Sequence, residues 1–155
     1  FFEEVRNPLL REAVESRLEL HTVVAALRRR QRWDSAPPSG EIWGYGRWVS
    51  YIESYWTEPG FRLEGVFPWV LEANRLLNAN ESVELERLLF EAVWNKLGRL
   101  GAGHYFDFEA VVIYVLRWNL VDRWSRYQGE EAVKRFRTLL DSGIEKFTNV
   151  FAGMS

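Results

Sequence analysis

The side chains best suited to chemistry are concentrated in one segment, which begins at His104. Asp107 and Glu109 follow it at the start of a predicted helix, directly after a glycine-rich link. An imidazole can exchange a proton near neutral pH or bind an anion. These three residues, together with Arg117, are therefore the candidates for a small-ligand or enzyme site, as an alternative to a non-enzymatic role. The alternative is a histidine that packs in the turn beside an aspartate that caps the helix.

The sequence patterns that would identify an enzyme or a metal centre are absent. The chain has two histidines and no cysteine, and neither histidine is predicted to share a helix with a carboxylate three or four residues away. The glycines at 98, 101 and 103 precede no Lys-Ser or Lys-Thr pair, and no Gly-x-Ser-x-Gly turn occurs. We therefore predict no catalytic residue, cofactor or metal ion. His21, on an apolar stripe, is interpreted as a packed core or interface histidine.

The composition predicts one compact domain that spans residues 1–155. Hydrophobic residues make up 47% of the chain and include eight Trp and ten Phe, a surplus that predicts either a contact surface or a Trp-rich core. The net charge of −2 disfavours nucleic acid as a partner. No apolar run is long enough to span a membrane. Because the chain begins with Phe1, we expect that a native N-terminal segment precedes it.

Hydrophobic periodicity predicts an all-α fold, a single irregular bundle of about six helices. The first helix begins at Pro8, is capped by Asn7 and ends near Arg32. The basic run that closes it, Arg28 to Arg32, is interpreted as a solvated helix end, with a phosphate-binding patch as the alternative. The other helices are predicted at about 47–55, 68–77, 81–97, 107–125 and 130–140. An Asn78/Glu81 capping box is expected before the fourth helix, and Gly98 is expected to end it.

The helix predicted at about 107–125 is expected to be the centre of the bundle. Its apolar residues form two flanks, one through Val111, Val115 and Trp118 and another through Ile113, Leu116 and Leu120. A helix with two apolar flanks needs a neighbour on each of them. Asp107 is expected to cap its first turn.

Charged residues within the apolar helices are expected to form ion pairs between helices, because a buried charge needs a partner. The side chains in question are Glu19, Glu109, Arg117, Asp122 and Arg123. Arg123 is also adjacent to Trp124, so its guanidinium can stack on an indole ring, either internally or on a partner. Arg117, Arg123 and Trp124 therefore join His104, Asp107 and Glu109 as candidate ligand or interface residues.

Four segments in the same order resemble a bacterial domain-of-unknown-function family whose genes accompany subunits of V-type (A-type) ATPases. The helix that ends at Leu97 closes with Trp-x-Lys-Leu. From His104 onwards, His-Tyr-Phe-Asp-Phe-Glu precedes an apolar run that ends in Arg-Trp. The segments are Leu18 to Arg30, Glu84 to Leu97, His104 to Trp124 and Gly129 to Leu140.

The resemblance implies a non-enzymatic accessory or structural protein that binds other subunits of a rotary ATPase. It implies helical character similar to that of the central-stalk C subunit. It also implies a cytoplasmic protein, peripheral to a membrane-bound complex, and it carries no catalytic residues over to this chain.

Overall fold

A computed structural model describes residues 7–32, 37, 42–126 and 129. Within these residues the chain is helical and contains no strand, so the predicted all-α fold is confirmed. The predicted helix at 130–140 lies outside the described residues. The helices are α1 (Pro8–Arg32), α2 (Trp48–Ser54), α3 (Val70–Asn78), α4 (Ser82–Leu100) and α5, which is described from 108 to 126.

Helix α1 begins where the sequence predicts. The side-chain Oδ1 of Asn7 accepts a hydrogen bond from the backbone N–H of Leu10 at 3.0 Å, which satisfies one of the free amides of the first turn. Pro8 occupies that first turn, where its missing N–H is not needed. The predicted cap and the length of the helix are both confirmed.

The hydrophobic core of the described residues surrounds α1, which contacts α2, α3 and α4. The expectation that the helix at about 107–125 forms the centre is therefore corrected. Helix α5 buries Ile113 and Leu120, but its opposite flank is exposed. The members of the core cluster are Leu20, Val23, Val24, Ala26, Leu27, Trp43, Ile52, Trp56, Phe61, Leu63, Val70, Ala73, Leu76, Leu85 and Leu89.

The segment before α2 passes close to α1 at a glycine. The backbone N–H of Tyr45 donates to Oγ1 of Thr22, a buried residue of α1, at 2.9 Å. A Cβ on Gly44 would lie 2.6 Å from Cγ2 of Thr22, which is shorter than the van der Waals contact distance between two carbon atoms. Gly44 is therefore what permits this close approach.

A buried arginine anchors the segment between α2 and α3 to the end of α1. Arg30 is 8% exposed, and its guanidinium carbon lies 4.4 Å from the centre of the Phe61 ring. Phe61 is fully buried with a φ of 53°, a left-handed conformation that is strained for a bulky residue. The terminal nitrogens of Arg30 donate to the carbonyls of Trp56 (3.2 Å), Glu58 and Pro59 (2.7 Å) and to Oδ1 of Asn74 (2.7 Å).

Two predicted helix boundaries are wrong. Asn78 is the last residue of α3, and the side chain of Glu81 makes no capping hydrogen bond, so the capping box does not form. The turn is closed by the backbone instead, with Asn80 at a φ of 56°. Helix α4 also continues through Gly98 to Leu100. A glycine inside a helix costs only about 1 kcal/mol, which tertiary packing can offset.

Of the charged residues expected to form ion pairs between helices, Glu19 pairs with a residue outside its own helix, although that residue lies in a turn. The carboxylate of Glu19 in α1 lies 3.4 Å from Arg47, which precedes α2. Asp122 pairs with Arg126 at 2.8 Å within α5. The chain divides into two compact units, Phe1–Leu116 and Arg117–Ser155. The expectation of a single domain stays a prediction.

Candidate functional site

The link from α4 to α5 places His104 at the start of the candidate site. Gly103 has a φ of 91°, which favours glycine, and the backbone N–H of His104 donates to the carbonyl of Gly101 at 3.1 Å. A Cβ on Gly101 would lie 3.2 Å from Cγ2 of Ile113, so this turn packs directly against the buried flank of α5. The position of His104 is therefore set by local backbone geometry.

His104 and Asp107 form a close polar pair. Nδ1 of His104 lies 2.6 Å from Oδ2 of Asp107, and Oδ1 of Asp107 accepts from the backbone N–H of Ala110 at 2.9 Å. The hydrogen bond from His104, and secondly the one from Ala110, hold the pKa of the Asp107 carboxyl below its ordinary value, because both stabilise the charged form. The predicted role of Asp107 as the cap of α5 is confirmed.

Glu109 joins this pair from the first turn of α5. Its Oε1 accepts a hydrogen bond at 2.7 Å from Nδ2 of Asn7, the residue that also caps α1. One ligand atom from each of His104, Asp107 and Glu109 lies within 4.8 Å of the other two. Three residues that the sequence only placed near one another are thus brought together, and α1 and α5 are tied at their N-terminal ends.

An apolar surface, which we term the aromatic face, adjoins these polar residues. Phe106 is fully exposed, and Tyr105 and Phe108 are also exposed. In α5 the exposed residues follow at spacings of three and four, which places them on one side of the helix, opposite the buried Ile113. The aromatic face consists of Tyr105, Phe106, Phe108, Val111, Tyr114 and Val115.

The other predicted site residues lie in the second compact unit, on α5. Arg117 and Trp124 are partly buried, and Arg123 is exposed. Their assignment to a site stays a prediction.

Sequence reasoning missed the hydrogen bond between Asn7 and Glu109 and the burial of Arg30. No local pattern indicates the first, because the two residues are 102 positions apart. The burial of Arg30 could have been predicted from the sequence. Arg30 continues the buried stripe of Val23 and Leu27 at helical spacing, although it lies within a basic run.

No helix among the described residues is long and apolar enough to cross a membrane. In comparisons with known proteins, no family model, no curated protein and no solved structure matches this chain.

Proposed function

We propose that this chain is a non-enzymatic protein-binding module, and that the aromatic face is its docking surface. The observation that carries the proposal is the exposure of a continuous apolar flank of α5, from Phe108 through Val111 to Val115. Surface patches of this kind mark interaction sites, and aromatic side chains are enriched in interfaces. The second flank of α5 is thus covered by another protein.

The proposed partner is a subunit of a V-type rotary ATPase. The resemblance in segment order supports this partner, and the exposed aromatic face supports binding of a protein surface with complementary apolar side chains. Aromatic anchors supply most of the binding free energy in such contacts, because they remove large areas from water with few rotatable bonds.

The test compares two matched substitutions in the tagged full-length chain. Val111→Asp places a carboxylate on the aromatic face, and Val66→Asp does the same at an exposed valine outside it; the two valines are 59% and 50% exposed. We expect ATPase subunits to co-purify with the wild-type protein and with Val66→Asp. Burial of the exposed part of a valine contributes about 1 kcal/mol or more, and burial of an unpaired carboxylate is unfavourable in addition. Val111→Asp should therefore reduce recovery at least about tenfold.

Three outcomes would contradict the proposal. Recovery of no ATPase subunit with the wild-type chain overturns the partner. Equal recovery with Val111→Asp overturns the docking surface. A dimer in sedimentation that only Val111→Asp dissociates assigns the face to a second copy of the chain. Circular dichroism of each variant establishes that its helices are intact.

The polar residues beside the aromatic face support a second candidate function, the binding of a small ligand. The observation that favours it is the convergence of His104, Asp107 and Glu109. An imidazole held by a carboxylate at 2.6 Å has a defined orientation, which a binding or acid-base role requires.

A further inference from the structure

We infer that His104, Asp107 and Glu109 form a binding site for a divalent transition-metal ion of the Zn²⁺ class. This inference deepens the second candidate function and is independent of the docking proposal. It rests on the donor atoms: one imidazole nitrogen and two carboxylate oxygens that all lie within 4.8 Å of one another.

The spacing of these atoms suits one shared ion. Zinc binds nitrogen and oxygen ligands at about 2.0–2.2 Å, so ligand atoms around a tetrahedral ion are about 3.3–3.5 Å apart. One ligand atom from each residue lies within 4.8 Å of the other two, so the group is compact enough to surround one ion. The contact of 2.6 Å between Nδ1 of His104 and Oδ2 of Asp107 is a hydrogen bond and is shorter than the separation of two zinc ligands. An ion at this position would take the place of the hydrogen bond between His104 and Asp107.

The ligands are held from outside the group, by two different helices. Asn7, at the start of α1, donates to Glu109, and the amide of Ala110 in α5 donates to Asp107. Each carboxylate is therefore oriented through one oxygen and has further lone pairs available. Outer contacts of this kind orient ligands in metal sites.

The donor set selects the class of ion. Magnesium and calcium favour sites made of oxygen ligands alone, whereas imidazole suits zinc, iron and nickel. Two carboxylates also neutralise the charge of a dication. Three protein ligands leave one position of a tetrahedral ion open, and the half-exposed His104 and Asp107 side chains place that position within reach of solvent or of another molecule.

Calorimetric titration of the full chain with Zn²⁺, after treatment with a chelator, tests the inference. The ligand variants are His104→Gln, Asp107→Asn and Glu109→Gln. Asparagine also caps helices, and glutamine keeps an oxygen for Asn7, so the local fold is retained. The control is His21→Gln, which removes the only other histidine.

We expect one equivalent of Zn²⁺ to bind the wild-type chain and the His21→Gln control. Each ligand variant should bind at least roughly tenfold more weakly, since even outer contacts change metal affinity by that factor. Absorption of bound Co²⁺ should show a nitrogen ligand that is lost in His104→Gln.

Several results would overturn the inference. One is the absence of binding at about 100 μM Zn²⁺. The others are equal binding by the ligand variants, loss of binding in His21→Gln, and competition by Mg²⁺ at the same concentration as Zn²⁺. None of them bears on the Val111→Asp experiment, so failure of the metal site and failure of the docking surface are distinguishable.

Discussion

Replacement of Arg30 by methionine tests whether the hydrogen bonds of its guanidinium stabilise the fold. Methionine keeps an unbranched apolar side chain under Phe61 but removes every donor of the guanidinium. Three backbone carbonyls, those of Trp56, Glu58 and Pro59, would then lose this partner. The change acts on the segment between α2 and α3, and it alters little of the solvent-exposed surface because Arg30 is 8% exposed.

The expected loss in the free energy of unfolding is about 3–5 kcal/mol. A buried acceptor without a partner costs about 1–3 kcal/mol, and some of the three carbonyls will regain water. Loss of the guanidinium over the Phe61 ring adds roughly 0.5–2 kcal/mol. For a chain of this length, about 2–4 °C per kcal/mol gives a fall in the melting temperature of about 6–20 °C.

Urea denaturation followed by tryptophan fluorescence measures the loss, since Trp56 lies in the affected segment. The matched control is Arg28→Met, in the same turn of α1. Arg28 is 54% exposed and pairs with Glu86 at 3.7 Å, so its removal should change stability by less than about 1 kcal/mol. If both variants lose the same stability, or if Arg30→Met loses less than about 1 kcal/mol, the anchoring role of Arg30 is refuted.

Two further predictions concern single positions. Because the pKa of Asp107 is depressed, its contribution to stability is present above the ordinary carboxyl pKa and is lost as the pH falls through the folded-state value. Carboxyl NMR titration should show this depressed pKa, and His104→Gln should raise it; an unchanged pKa would contradict the pairing. Gly44→Ala should destabilise the fold by about 1–3 kcal/mol through its clash with α1. Gly65→Ala, which meets no atom within 4 Å, should not, and equal melting temperatures would refute the steric argument.

Local signals predicted most of the helices, because caps and hydrophobic periods act over a few residues. The Asn7 cap, the length of α1 and the Asp107 cap are all confirmed. Boundaries that depend on packing were not predictable in the same way. Gly98 lies inside α4 because the intrinsic preference of glycine is small beside the burial of the neighbouring Leu97.

The arrangement of the helices was harder to infer than their existence. Helix α5 has two apolar flanks, which the sequence shows, but periodicity does not indicate which flank the same chain covers. The candidate site shows the same limit. His104 and Asp107 are close in the sequence, whereas the hydrogen bond from Asn7 to Glu109 depends on how α1 and α5 are packed.

That hydrogen bond also has a consequence for synthesis of the protein on the ribosome. Glu109 is made 102 residues after Asn7, and at about 5–20 residues per second this interval lasts roughly 5–20 s. During the same period α3 and α4, which contact α1 in the folded chain, are also made, so the buried Val23 and Leu27 of α1 are not yet packed in the complete core. The newly made α1 therefore exposes apolar surface long enough for chaperones to bind it.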